Sequence, residues 1–156
     1  ISVTIISKTK KPVLRTGTEA GDLICYTGKL GSCKKDLGKL LNDKKVSNKS
    51  KFIKPKLNAD FFYEIAPYIN SALDISDGLF FELERLSKSN KIGFEFFKKI
   101  KNKVGCSGEE YEVLFTYNKK YQKKIKKISK KYDVKLNTFA QAVKGKYLCE
   151  CKNHHF

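Results

Sequence analysis

Apolar positions recur along this chain with two periods, one near two and one near three and a half, which sort it into strands and helices. Ile1-Ser2-Val3-Thr4-Ile5-Ile6 and Asp22-Leu23-Ile24-Cys25-Tyr26-Thr27 are strand-like runs separated by Pro12 and Gly17. The second run ends at Gly28 and opens a loop carrying Gly31 and Gly38. Residues 42 to 58, rich in Lys, Asn and Ser up to Pro55, predict a polar connector expected to be mobile. From Ala59 to Tyr68, the residues Phe61, Phe62, Ile65 and Ala66 fit a short helix closed by Pro67. Leu79, Leu83 and Leu86 then repeat at helical spacing, with Asp74, Ser76 and Asp77 each a credible cap at the helix start.

Ile92-Gly93-Phe94-Glu95-Phe96 reads as a strand. So does the stretch from Glu110 to Tyr117, whose alternation sets Tyr111, Val113, Phe115 and Tyr117 on one face. Between Lys119 and Tyr132, the residues Tyr121, Ile125, Ile128 and Tyr132 stripe a helix otherwise covered in Lys. Further strands are expected at 134 to 140 and 145 to 151, and no internal repeat is visible. Strands mixed with several helices predict an α+β fold, or a layered α/β/α domain.

A chain of 156 residues with 40% hydrophobic content is long enough for one domain with a single core. It opens at Ile1 inside a strand-like run and has no Met, which reads as a cut from a longer protein. Residues 1 to 14 are then expected to be the end of a preceding domain or its connecting strand. No run approaches the roughly 20 apolar residues that span a bilayer, and no secretory signal is visible at the start. A soluble, cytoplasmic protein is the default expectation.

The balance of 33 Lys and Arg against 16 Asp and Glu, or +17, favours anionic partners. Arg occurs only at Arg15 and Arg85, however, and specific base reading leans on Arg forks. A solvated Lys surface is the simpler account, and no nucleic-acid partner is expected. The five cysteines are odd in number and irregularly spaced, which predicts reduced thiols rather than a disulfide framework.

Candidate chemistry lies in three places. In Asp74-Ile75-Ser76-Asp77-Gly78-Leu79, two carboxylates enter a helix where they can share one side of a turn. Carboxylate oxygens are the hard ligands magnesium takes, with phosphate and water completing its shell. A helix start also offers N–H groups to phosphate. Capping alone is the competing account of the same residues. Ser107-Gly108-Glu109-Glu110-Tyr111-Glu112 gathers three acids at a strand entrance, as a binding turn or merely a polar one. Cys149-x-Cys151-x-x-His154-His155 holds four potential zinc ligands but lacks the paired spacing of a structural site. No nucleophile signature and no phosphate loop of the G-x-x-x-x-G-K-[ST] type is present.

Taken in order, these residues resemble the C-terminal half of thiamine-monophosphate kinases. That family runs R-x-G-x-x-x-G-D, T-G-x-L-G, D-[IL]-S-D-G-L, G-G-E-D-Y-E-[LV]-x-F-T and a closing G-[YF]-x-H-F. This chain has Arg15-Thr16-Gly17 with Gly21-Asp22, then Thr27-Gly28-Lys29-Leu30-Gly31 and the whole Asp74 to Leu79 block. It continues with Gly108 to Thr116 and ends His155-Phe156. The resemblance implies the layered fold of the aminoimidazole-ribonucleotide-synthetase superfamily, and transfer of the ATP γ-phosphoryl group to thiamine monophosphate. It implies that Asp74 and Asp77 hold Mg2+, Ser76 and Arg15 contact ATP, and Glu109 and Asn153 contact the substrate. Departures from the pattern are Ser107 and Glu110 in the acidic motif, Ser32 to Lys35 after the glycine loop, and Asn153 where a ring is expected. In this family the N-terminal half carries further metal-binding aspartates and the main homodimer contact, so this stretch alone is expected to be inactive.

Overall fold

Short runs of alternating apolar residues become strands here because their two faces meet two different layers of helices. The computed structural model describes residues 4, 8, 9, 11–51 and 53–151. Its strands are β1 (Leu23–Thr27), β2 (Ser71–Asp74), β3 (Ile92–Phe96), β4 (Val113–Tyr117) and β5 (Leu136–Lys144). They form one sheet in the order β2-β4-β1-β5-β3, antiparallel at every pairing. The helices are α1 (Cys33–Leu40), α2 (Ala59–Ile65), α3 (Leu79–Asn90), α4 (Asn102–Gly105) and α5 (Gln122–Lys131).

In β1, Ile24 points to one face of the sheet, while Leu23 and Cys25 point to the other. Ile24, Leu73, Leu114 and Ala140 pack against Leu79, Leu83 and Leu86 of α3. On the opposite face Cys25, Phe115 and Tyr117 meet Phe61 and Ile65 of α2 and Ile125 and Ile128 of α5. The result is the expected α+β domain, layered helix–sheet–helix. Leu83 and Leu86 are fully buried, each contributing about 1.5–3 kcal/mol by leaving water. Among the described residues no helix is long and apolar enough to cross a membrane.

Because neighbours are antiparallel throughout, the C-terminal ends of β1, β2 and β3 and the N-terminal ends of β4 and β5 lie at one end of the sheet. That end receives the loops 28–32, 75–78, 97–101 and 106–112.

Several expectations are corrected. The glycine-bearing stretch after Gly28 contains α1, whose one buried residue is Cys33, so it has no large apolar stripe to announce it. The helix expected through Tyr68 tightens into a 3-10 turn at Ala66–Tyr68, where Pro67 lies in its first turn. The strand expected from Glu110 begins at Val113, because Glu109 (φ 54°) and Tyr111 (φ 53°) adopt left-handed backbone that breaks the pleat. In place of two closing strands there is one, β5, ending before Gly145 (φ 144°). The chain then turns back so that Tyr147 stacks near Phe94 and Phe96, with ring centroids 5.6 and 5.9 Å away. This turn carries Cys151 to Cys106 at the end of α4, and the two are disulfide-bonded, their Cα atoms 5.8 Å apart. The expectation of reduced thiols fails for this pair, while Cys25, Cys33 and Cys149 are free. The first predicted strand and His154-His155 fall largely or wholly outside the described residues.

The outer helices are also tied by charge. Glu64 of α2 accepts from Lys131 Nζ at 2.5 Å and from Tyr132 OH at 2.7 Å, which holds its carboxyl below its ordinary 4.5. A carboxyl depressed by folding contributes stability above its unfolded value, and loses that contribution as pH falls through the folded one. Thermal melts from pH 7 downward should therefore show the gap between Glu64→Gln and wild type closing as pH falls below the ordinary carboxyl value of 4.5. An unchanged gap across that window would remove the link.

Candidate functional site

Three segments far apart in sequence meet at the loop-bearing end of the sheet. Asp74 is the last residue of β2, and buried Ile75 pins the loop after it into the core. β2 and β4 are neighbours, so the loop entering β4 lies directly against the loop leaving β2. Ile75 N donates to Glu112 O (2.8 Å), Glu110 N to Ile75 O (3.2 Å) and Glu109 N to Ser76 O (2.6 Å). The fit is backbone to backbone, since a Cβ on Gly108 would stand 2.7 Å from Ser76 O. Gly78 adopts φ 116°, and a Cβ there would meet Gly105 O at 3.0 Å.

The glycine loop after β1 joins through acids. Glu112 accepts from Thr27 Oγ1 at 2.7 Å and lies on Gly28, where a Cβ would come within 1.9 Å of its carboxylate. Glu110 is fully buried, and its Oε1 accepts from Gly31 N (2.8 Å), Ser107 Oγ (2.5 Å) and Cys33 N (3.4 Å). Lys51, from the polar connector, pairs with both acids, 2.8 Å from Glu110 Oε2 and 3.2 Å from Glu112 Oε1. Its approach to Oε2 lacks hydrogen-bond direction and is therefore ionic. Burial and the Glu110 charge push the Cys33 thiol up to about 11. A cavity of about 150 Å³ opens beside this cluster, among Gly28, Lys51, Tyr111 and Glu112. Burial, reinforced by Glu109, raises the Tyr111 phenol.

At the start of α3 the capping account fails. The N-cap is Gly78, with no side-chain cap, so neither Asp74, Ser76 nor Asp77 serves that purpose. Asp74 is exposed, and its side chain has no hydrogen-bond or ion-pair partner among the described residues. Asp77 forms an ion pair with Arg85, which also pairs with Glu82. Buried Glu82 accepts from Ser76 Oγ and Asp77 N, both at 3.3 Å. The mouth of α3 thus already holds an anion, which corrects the idea of a helix end open to phosphate.

Two other expected residues stand apart. Arg15 is exposed, and its carbonyl accepts from Asn90 Nδ2 (2.9 Å) at the far end of α3. Leu14 O accepts from Ala72 N. The Arg15 backbone is thereby held at the C-terminal end of α3, whereas Asp77 precedes the N-cap of that helix. Glu109 is exposed beside Ser76, whereas Asn153 lies outside the described residues. Lys51, Glu82 and Arg85 were not singled out by sequence reasoning. The three acids read as a binding or polar turn, and although so acidic a cluster in a Lys-rich chain could have pointed to a lysine partner, nothing marks which lysine supplies it.

Among the described residues no group of three or more His, Cys, Asp and Glu side chains could hold a metal ion. Magnesium needs only one or two carboxylates beside phosphate and water. The unpartnered oxygens of Asp74 suit that chemistry, and Asp77 suits it if Arg85 shares its carboxylate.

No family model matches the chain. Among curated proteins it is 36% identical over 148 residues to the thiamine-monophosphate kinase of Nitrosopumilus maritimus, covering 83% of this chain and 48% of that protein. It superposes on the structure described as AaThiL complexed with AMPPCP and TMP with a TM-score of 0.67 at 22% identity, covering 86% of this chain and 49% of that one. Against the hydrogenase maturation protein HypE of E. coli the TM-score is 0.68 at 14% identity, covering 88% of this chain and 48% of that one. At such identities these two likenesses show the fold alone. The chain spans about half the length of the curated relatives it matches.

Proposed function

We propose that this chain, a homologue of the thiamine-monophosphate kinases over a C-terminal-like portion, serves as one half of an enzyme phosphorylating thiamine monophosphate with ATP. The product would be thiamine diphosphate. The observation that carries this reading is the backbone apposition of residues 75–78 with residues 106–112, which puts Asp74, Ser76, Asp77 and Glu109 at one rim.

In the reaction a phosphate oxygen of thiamine monophosphate bonds to the γ-phosphorus as the bond to ADP breaks. Asp74 and Asp77 would hold Mg2+, which draws charge from the phosphates as they converge. Ser76 would hydrogen-bond the nucleotide by turning its hydroxyl from Glu82, and Glu109 would orient the thiamine. Arg15 and Asn153 remain candidates for the ATP phosphates and the substrate respectively, by resemblance only. Arg85 would hold Asp77 in place before nucleotide arrives. Two carboxylates make a partial site, so a second half of the protein would complete the metal cluster and the homodimer. This chain alone should then bind nucleotide weakly and turn over very slowly. A cytoplasmic enzyme without a nucleic-acid partner fits this reading.

The test is thiamine diphosphate formation by the full-length protein with ATP and magnesium, beside Asp74→Asn and Asp77→Asn. Asp74 is the cleaner variant, because its side chain makes no hydrogen bond or ion pair among the described residues. Production that falls by about 10² or more in both variants, with unchanged melting temperatures, is the expected outcome. Silence from a folded wild type would make the protein a non-catalytic relative.

A further inference from the structure

After Gly145 the chain runs back past β3 and α3 and is held there at few points. Tyr147 N donates to Ser87 Oγ at 2.9 Å, and the Tyr147 ring packs near Phe94 and Phe96. Beyond it Leu148 and Glu150 are exposed. Among the described residues, the one hydrogen bond from residues 148–151 to the body is Cys149 N to Glu84 Oε2, at 3.3 Å. The Cys106–Cys151 disulfide is therefore the main tie of this segment. Its other end stands at the candidate site. α4 is a single turn, too short to persist on its own hydrogen bonds. It is held by what it touches: Val104 packs against the core, Gly105 lies on the Phe80 ring, and Cys106 is bonded to Cys151. Cys106 also packs on the turn that opens α3, since a Cβ on Gly78 would stand 3.2 Å from Cys106 Cα. Asp77 precedes that glycine, and Ser107, next after Cys106, donates to Glu110.

A third sulfur stands beside the bond, for Cys149 Sγ accepts from Cys151 N at 3.3 Å. Burial, reinforced by Glu84 and Glu150, raises the Cys149 thiol above its ordinary 9.0. It stays protonated at neutral pH and is a poor attacker of the neighbouring disulfide. Cys106 and Cys151 are each half-buried, so an outside dithiol has access to them. We infer that Cys106–Cys151 is a redox-operated clasp. Closed, it seats α4 and the entry to the loop 106–112 against the mouth of α3; open, it releases residues 148–151 and unseats α4. The opening step is exchange with a dithiol reductant. A thiolate of the reductant attacks one sulfur, and the other sulfur leaves and takes a proton. The second thiol of the reductant then displaces the first cysteine, so two electrons and two protons pass to Cys106 and Cys151 while the reductant becomes a disulfide. Opening also uncovers a cavity of about 390 Å³ that Leu148 and Cys151 line together with Phe80 and Phe96. Only the effect on turnover rests on the kinase reading above.

The test compares the whole chain oxidised, reduced with dithiothreitol and reoxidised. Alkylation in denaturant followed by mass spectrometry should find Cys106 and Cys151 linked in the oxidised chain and both alkylated after reduction, with Cys149 alkylated in each. Reduction should speed amide exchange of residues 102–106 and 148–151 by about tenfold or more, while residues 23–27 and 113–117 keep their protection. Cys106→Ser with Cys151→Ser should show the reduced pattern whether or not dithiothreitol is present, and Cys149→Ser should respond as the wild type does. In the full-length protein, reduction should lower kcat/KM about tenfold by displacing the loop, and reoxidation should restore it. The double variant should not show that response. A bond at Cys149, no bond after treatment with oxidised glutathione, or equal exchange in both states would overturn the clasp. Loss of protection across β1 and β4 on reduction would also overturn it, because the bond would then staple the whole fold. Turnover that ignores reduction would remove the link to α4. If exchange responds and no state of the full-length protein turns over, the clasp stands and the kinase reading falls.

Discussion

Glu110→Ala is expected to destabilise the chain by about 3–5 kcal/mol, the usual cost of removing one partner from a buried charge cluster. The side chain is fully buried, and its loss leaves Gly31 N and Ser107 Oγ without their acceptor and Lys51 with Glu112 as its one remaining carboxylate partner among the described residues. Urea unfolding should show a lower midpoint with an unchanged slope, the mark of lost stability without a changed fold. Glu110→Asp keeps the charge on a shorter side chain, so it should lose less than alanine yet fall short of wild type. A cost for alanine below about 1 kcal/mol would mean that the cluster behaves as a solvated surface pair, and its structural role would be abandoned.

Gly108→Ala should act on turnover more than on stability. The added methyl would stand 2.7 Å from a backbone oxygen, Ser76 O, so one of the two loops has to move. Those loops carry Asp77 and Glu109, and a displacement of about 1 Å between groups that must converge on a substrate costs about 10²-fold in rate. The measurement is kcat/KM of the full-length protein beside its melting temperature. Gly38→Ala makes the control, since a Cβ at that helical position has nothing within 4 Å. It should leave turnover alone and add about 0.5–1 kcal/mol of stability. Equal rates for wild type and Gly108→Ala would sink the claim that loop apposition sets the chemistry.

The sequence announced the parts of the fold that obey a regular period. β1, β3, α3 and the Val113 to Tyr117 part of β4 appear where alternation or helical spacing placed them. α3 buries Leu79, Leu83 and Leu86 on a repeating face, and β1 and β4 are buried along almost their whole length, so pattern and packing agree there. α1 escaped because it buries only Cys33, and residues 109–111 escaped because left-handed backbone follows no side-chain period. The Cys106–Cys151 link was hidden by an odd cysteine count and a separation of 45 residues. For the site, each motif was visible by itself, but their meeting was not. That follows from β2 and β4 lying side by side, which no local spacing encodes. Asp77 likewise read as a cap or a metal ligand, and its pairing with Arg85 emerges only once the loop ahead of the Gly78 N-cap brings Asp77 to a side chain eight residues on in α3.

The sheet separates two kinds of obligation. Leu30, Ile75 and Leu79 belong to the core beneath α3 and also hold the loops that bear the candidate chemistry. Phe61, Ile65, Ile125 and Ile128, on the other face, support helices that carry none of those loops. A substitution in the first group disturbs architecture and reactivity at once, whereas one in the second is felt only as stability. Over many generations the residues of the second group could therefore be exchanged for others of similar bulk, and a lineage could rebuild that buried layer while leaving its chemistry intact.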